Sequence, residues 1–252
     1  MKKSQIAAQL FTLRDFLKTP GDIAVSLRKV KQIGYDAVQV SGMGPVAEEE
    51  LVKILDGEGL ICCATHEPGE KIVEETAAVI ERLNKLQCKY TAYPFPHKMP
   101  ANEVEAAGMA KEFEKAAVAM AAAGQILTYH NHSNEFARFG SRTMLDIFYD
   151  EAPHLQGELD TFWVQYGGAN PVSWIKKLSG RLPLLHLKEF GILDGKITMY
   201  HIGGGNLEWD KIIPAADEAG VEWFIVEQDN CLIAPFESLK LSFDYLVSNF
   251  AE

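Results

Sequence analysis

The sequence predicts an α/β protein, a single-domain (β/α)8 TIM barrel, and three observations carry that expectation. Eight short apolar runs alternate strictly with eight segments of helical period, the pattern of βαβ units and a parallel sheet. The 252 residues give about 31 per unit, and roughly 250 residues is the usual size of an eight-fold βα barrel. No Gly-x-Gly-x-x-Gly follows the first run, so an open, doubly wound dinucleotide-binding sheet has little support. Nothing in composition or spacing divides the chain, and one domain spanning residues 1–252 is expected.

The expected strands are Ile6–Leu10, Ala37–Val40, Leu60–Ala64, Tyr90–Tyr93, Ile126–Tyr129, Gly157–Leu159, Leu184–Leu187 and Trp223–Val226. Each is short and apolar enough for a strand buried on both faces. The helices between them begin with Asp22–Ile33, where Ile23, Leu27, Val30 and Ile33 form one stripe that Gly34 ends. Ala47–Glu58 stops at Gly59 in the same way, Glu103–Ala123 at Gly124 and Trp209–Ala219 at Gly220. Ile72–Leu86 reads as one helix through Ile72, Val73, Ala77, Ile80, Leu83 and Leu86. Arg142–Glu151, Val172–Leu178 and Glu237–Phe250 complete the set.

A hydrophobic share of 47% with 23% charged residues is that of a globular chain rather than a disordered one. The formal net charge of −11 argues against nucleic-acid partners, whose phosphates demand basic surface, and against anionic membrane surfaces. Cys62, Cys63, Cys88 and Cys231 lack metal-finger spacing and read as reduced thiols. No run of about 18 apolar residues is present. The apolar stretch before Arg14-Asp15 is too short for a signal-peptide core, so a cytoplasmic location is expected.

In such barrels the C-terminal strand ends carry the chemistry. Four consecutive ends are polar: Tyr129-His130-Asn131-His132, Glu158-Leu159-Asp160-Thr161, Leu185-His186-Leu187-Lys188 and Val226-Glu227-Gln228-Asp229. Alone, each of these residues has an ordinary reading as a satisfied core histidine or a capping carboxylate. Together they converge on one mouth, where buried polar groups are costly unless paired or bound to an ion. His130, Asp160, His186 and Glu227 make a donor set for Mn²⁺, Zn²⁺, Mg²⁺ or Co²⁺. Around them, His132, Glu135, Glu227 and Lys188 are candidates for proton transfer and oxyanion contact, with His66 and Trp163 for holding substrate. The Gly203-Gly204-Gly205 turn offers backbone N–H groups to an anion such as a sugar phosphate, or is a plain turn. His97 and His154 read as surface residues.

Five segments together resemble the xylose-isomerase-like TIM-barrel superfamily, of the sugar phosphate isomerase/epimerase type, over essentially the whole chain. They are Gly34-Tyr35-Asp36-Ala37-Val38-Gln39, Tyr129-His130-Asn131-His132-Ser133-Asn134-Glu135-Phe136, Leu159-Asp160-Thr161-Phe162-Trp163, His186-Leu187-Lys188-Glu189 and Glu227-Gln228. The resemblance implies one divalent metal ion at the mouth, with Asp160, His186 and Glu227 at three of the four usual ligand positions. The fourth is usually a glutamate, and here His130 stands in its place. It also puts Gln228 among the substrate-binding candidates. Ketose 3-epimerases of this outline use two metal-bound glutamates as the proton-transferring pair. The departure therefore leaves Glu135 to serve from the loop, or His132 as a single base, as in the related inosose dehydratase-like enzymes.

The resemblance implies a metal-dependent isomerase or epimerase acting on a sugar, sugar phosphate or keto-polyol through an enediolate. A dehydratase or lyase on a keto-sugar or keto-inositol is the alternative, and a non-catalytic sugar-binding protein is the alternative of another class. The superfamily also includes endonucleases for abasic DNA, which the −11 charge disfavours. The expected partner is a small carbohydrate, with no nucleic acid and no membrane. A homo-oligomer is compatible with each reading.

Overall fold

The computed structural model describes all residues from Met1 to Glu252. Eight parallel strands close into a barrel: β1 (Ile6–Gln9), β2 (Ala37–Val40), β3 (Ile61–His66), β4 (Tyr90–Tyr93), β5 (Ile126–His130), β6 (Gln156–Asp160), β7 (Leu184–Leu187) and β8 (Trp223–Val226). Each lies beside its neighbours in the chain, and β8 beside β1, so the single-domain (β/α)8 barrel is the fold observed. The helices are α1 (Pro20–Ile33), α2 (Glu48–Glu58), α3 (Gly69–Glu74), α4 (Thr76–Lys85), α5 (Glu103–Ala122), α6 (Met144–Glu151), α7 (Thr161–Tyr166), α8 (Pro171–Lys177), α9 (Trp209–Ala219) and α10 (Pro235–Phe250). No helix is long and apolar enough to cross a membrane.

Period-two alternation organises the barrel interior. Ala7, Ala37, Leu184 and Ile225 form an apolar plug on the inner face, separate from the larger core between strands and helices. Two residues further along the same strands come Gln9, Gln39, His186 and Glu227. The interior thus turns polar toward the C-terminal ends. Those side chains stay buried, so each must find a partner inside the barrel.

The elements depart from the sequence pattern in four places. Helix α1 starts two residues early, because Pro20 suits the first helical position and Thr19 caps the helix reciprocally with Asp22. The expected Ile72–Leu86 helix is broken at Glu75 (φ −121°, ψ 37°) into α3 and α4. An apolar stripe carries across a one-residue break, so its spacing does not reveal it. Between β6 and α8 the short helix α7 springs directly from Asp160, whose Oδ1 accepts from Trp163 N at 2.9 Å. Finally, β7 runs into an antiparallel hairpin, Glu189–Leu193 paired with Lys196–Tyr200. Its turn is Asp194-Gly195, both at positive φ (50° and 75°), an Asp-Gly hairpin signal flanked by alternating apolar residues.

Candidate active site

The same alternation pairs Glu158 with Asp160, His186 with Lys188 and Glu227 with Asp229, each pair two residues apart on one face. Deeper in the barrel, Glu158 Oε1 lies 2.5 Å from His66 Nε2, 3.0 Å from His186 Nε2 and 3.3 Å from His130 Nδ1. Its Oε2 accepts from Gln39 Nε2 at 2.6 Å, and Gln39 Oε1 accepts from Gln9 Nε2 at 2.8 Å. Nearer the mouth, His186 Nδ1 stands 2.9 Å from Glu227 Oε2 and 3.9 Å from Asp160 Oδ2. His130 Nε2 stands 4.0 Å from that same Asp160 oxygen. One donor atom from each of His130, Asp160, His186 and Glu227 lies within 4.8 Å of the others. Lys188 Nζ joins the carboxylates of Asp160 (3.1 Å), Glu227 (2.8 Å) and Asp229 (3.0 Å).

This donor set fits a divalent ion. Two imidazoles and two carboxylates are the ligand types of Mn²⁺, Co²⁺ and Zn²⁺. Asp160 Oδ2 is buried and receives no well-directed hydrogen bond, although the Lys188 ammonium lies nearby. Of the eight buried side-chain polar atoms without a partner, four belong to this mouth: His130 Nδ1, His132 Nδ1, Asp160 Oδ2 and Trp163 Nε1. The first of these is 3.3 Å from Glu158 but poorly aligned for a hydrogen bond.

Burial and neighbours divide the charges. Burial alone would lower the His186 pKa, but Glu158 and Glu227 outweigh it and lift it to about 10. Burial lifts Asp160 to about 6 against the pull of Lys188. Glu227 is held below the usual carboxylate range, because Lys188 and His186 overcome its burial. His132 falls to about 4, through burial first and the Lys188 charge second, and is therefore an uncharged imidazole at neutral pH.

Above these groups opens a cavity of about 400 Å³, walled by Phe11, Pro68 and Phe95 together with His66, Glu67, His130, His132, Lys188, Glu227 and Asp229. The His132 ring leans on Phe95 (centroids 5.3 Å apart) and Trp163 (5.2 Å). The Lys188 ammonium stands 5.4 Å from the Trp163 ring centroid.

The fold thus brings His66, His130, His132, Asp160, His186, Lys188 and Glu227 together, with Trp163 packed against two of them. Two expected residues are placed elsewhere. The turn Asn134–Phe136 tucks Glu135 inward, fully buried and off the cavity wall, where it accepts from Tyr129 Oη and His132 N, each at 2.9 Å. In that position Glu135 braces the His132 loop. Gln228 points away from its neighbour Glu227, as successive strand residues do. Its Nε2 donates to Asn230 O at 2.9 Å and its Oε1 accepts from Ser238 Oγ at 2.5 Å.

The glycine turn is also taken. Glu189 accepts from Gly203 N, Leu207 N and Phe190 N, each at 3.0 Å, and from Trp209 Nε1 at 2.5 Å. An internal carboxylate fills the place offered to an external anion, and of the two readings the segment takes that of a structural turn. His97 and His154 are exposed, as expected. Glu158 and Asp229 escaped the sequence reading of the site. The signal for each was its spacing of two from an assigned residue.

The sequence model of the xylose isomerase-like TIM barrel family matches residues 27–246. A sugar phosphate isomerase/epimerase structure from Parabacteroides distasonis superposes with a TM-score of 0.84 at 22% identity, covering 99% of this chain and 96% of that one. A probable 3-DHS dehydratase involved in petrobactin synthesis, from Bacillus anthracis, gives 0.75 at 14% identity over 99% and 100%. A structure of L-ribulose 3-epimerase gives 0.74 at 16% identity over 96% and 93%. At these identities the likeness carries the fold. Among curated proteins none matches this sequence.

Proposed function

The chain belongs to the xylose isomerase-like TIM barrel family, and we propose that it is a metal-dependent enzyme that moves the proton beside the carbonyl of a sugar or keto-polyol, as an isomerase or epimerase. One observation carries this reading. Four metal-type donors meet at the floor of a sugar-sized cavity whose wall holds an uncharged imidazole, His132.

His130, Asp160, His186 and Glu227 would hold the ion. When bound, a divalent ion supplies positive charge that stabilises a developing oxyanion and so acidifies the neighbouring C–H. His132, neutral at working pH, takes that proton. The electron pair left on carbon becomes the C=C bond of an enediolate. Lys188 donates a hydrogen bond to the substrate oxygen that gains charge, and His66 steadies a neighbouring hydroxyl. Phe11 and Phe95 offer an apolar wall to the C–H face of the sugar. Returning the proton from His132 to the adjacent carbon, as the hydroxyl proton of that carbon passes to the former carbonyl oxygen, completes an isomerisation. Passing it from the His132 imidazolium to the Glu227 carboxylate on the wall, and from there to the opposite face of the same carbon, completes an epimerisation.

The burial of Glu135 favours a second reading, a dehydratase or lyase on a keto-sugar or keto-inositol. Elimination needs a single base. His132 takes the α-proton, the C–H pair forms the C=C bond, and a β-oxygen substituent leaves with the proton that the imidazolium returns. Structures of similar fold are named for an epimerase and for a dehydratase.

The test reloads dialysed protein with Mn²⁺, Co²⁺ or Zn²⁺ and incubates it with keto-sugars, their phosphates and keto-inositols in D₂O. Proton NMR follows the α-position. Exchange at one carbon is expected, and the product, a new sugar or an unsaturated ketone, separates the two readings. Sugar binding without exchange for any substrate and metal would make the chain a binding protein instead.

A further inference from the structure

The two candidate ligand histidines each use one ring nitrogen toward the mouth and the other toward the barrel interior. The inner nitrogens, His130 Nδ1 and His186 Nε2, face the same atom, Glu158 Oε1, at 3.3 and 3.0 Å. His66 Nε2 reaches that oxygen at 2.5 Å, and Gln39 Nε2 holds Oε2 at 2.6 Å, which leaves Gln39 Oε1 to accept from His186 Nε2 at 2.6 Å, so Glu158 acts on His186 both directly and through Gln39. Glu158 is fully buried and absent from the cavity wall, so no substrate reaches it. A carboxylate in that position only accepts hydrogen bonds, so an imidazole nitrogen that faces it, as His130 Nδ1 does without a well-aligned bond, is the one that carries the hydrogen. An imidazole that ligates an ion is neutral and keeps one N–H, which leaves the lone pair on the opposite nitrogen. Those opposite atoms are His130 Nε2 and His186 Nδ1, which face Asp160 Oδ2 at 4.0 and 3.9 Å; His186 Nδ1 also stands 2.9 Å from Glu227 Oε2, a contact that an ion held by both residues would replace.

We propose that Glu158 is the positioning residue of the metal centre: one buried carboxylate that fixes the tautomer and ring orientation of both His130 and His186, so that their outer nitrogens present lone pairs to one ion. This rests on the reading that an ion binds at the mouth. The supporting carboxylate and a ligand, Asp160, are then two residues apart on one face of β6, which places both with one strand. The rival arrangement has His66, His130, Glu158 and His186 holding an ion of their own. The 2.5 Å between His66 Nε2 and Glu158 Oε1 is a hydrogen-bond length, too short for two ligands of one ion, whose donor atoms stand roughly 3 Å apart. Ions above and below together would require both imidazoles to give up their last N–H.

Co²⁺ is titrated into metal-free wild type, Glu158→Gln and Glu158→Asp, with calorimetry for affinity, visible absorption for ligand geometry and thermal melts for folding. Wild type is expected to take one Co²⁺. Glu158→Gln is expected to bind it about 10–100-fold more weakly, with a changed visible band. Glu158→Asp keeps the charge and is expected to fall between them, and it carries the comparison if the glutamine variant does not fold. Unchanged Co²⁺ affinity and spectrum in folded variants, with only the melting temperature moved, would make Glu158 structural and overturn the proposal. Two ions in wild type, one of them lost in Glu158→Gln, would overturn it in favour of the inner site. Wild type that takes up no Co²⁺, Mn²⁺ or Zn²⁺ would instead sink the reading of the mouth as a metal centre, and this proposal with it.

Discussion

Lys188 and Glu189 are consecutive, charged and buried, yet they serve regions of opposite character. Glu189 faces the glycine turn, where both its oxygens are taken by four donors from the chain itself. Lys188 faces the mouth, where three carboxylates crowd one ammonium and Asp160 Oδ2, His132 Nδ1 and Trp163 Nε1 have no hydrogen-bond partner. A buried ion whose every lone pair is met is finished structure, since it has nothing left to give a ligand. A buried cluster with orphaned atoms bears an energetic penalty that a ligand relieves. Charge and burial alone do not separate the two regions; satisfaction does.

Six substitutions break or sharpen that contrast. The largest effect is expected for Asp160→Asn or Glu227→Gln, each of which removes an anionic donor. Metal content after dialysis, measured by elemental analysis, should fall well below that of wild type, and α-proton exchange should fall to background. His132→Gln should leave metal content intact and reduce exchange by about 10²–10⁴-fold, the usual yield of general base catalysis. Survival of exchange per bound metal would move the base to Glu227. Glu189→Ala strands buried donors in the satisfied region. It should lower stability by roughly 3–5 kcal/mol, or about 10 °C in Tm, while exchange per folded molecule holds. Glu135→Gln should keep metal and slow exchange within about tenfold, through a loosened His132 loop. A loss as large as that of His132→Gln would restore Glu135 as the base. The smallest effect is expected for Gln228→Ala, about 1 kcal/mol in denaturant unfolding from lost hydrogen bonds, with substrate KM unchanged.

The strands and most helices were legible because their causes are local. Apolar runs of strand length, 3.6-residue stripes and terminal glycines such as Gly34 and Gly220 lie along the chain itself. The hairpin after β7 is equally local, marked by its Asp194-Gly195 turn, but it stands outside the strict alternation of barrel strands and helices. The break at Glu75 was hidden, because one non-helical residue barely shifts the stripe on either side.

The site was legible to the depth that strand periodicity allows. Alternation and the rule that barrel chemistry gathers at C-terminal strand ends place His130, Asp160, His186 and Glu227 at one mouth without coordinates. Sequence cannot decide what a polar residue meets once it arrives there. Glu135 and Glu227 are both carboxylates near that mouth. Loop closure gave one to Tyr129 and the His132 backbone and left the other on the cavity wall. Glu158 and Glu189 are both buried acids, one gripped by residues from β2, β3, β5 and β7, the other by a turn and the helix that follows it. Side-chain identity and its face are properties of the local chain. Partnership is a property of distances between segments far apart in the chain, 147 residues for His186 and Gln39, and those distances exist only once the barrel has closed.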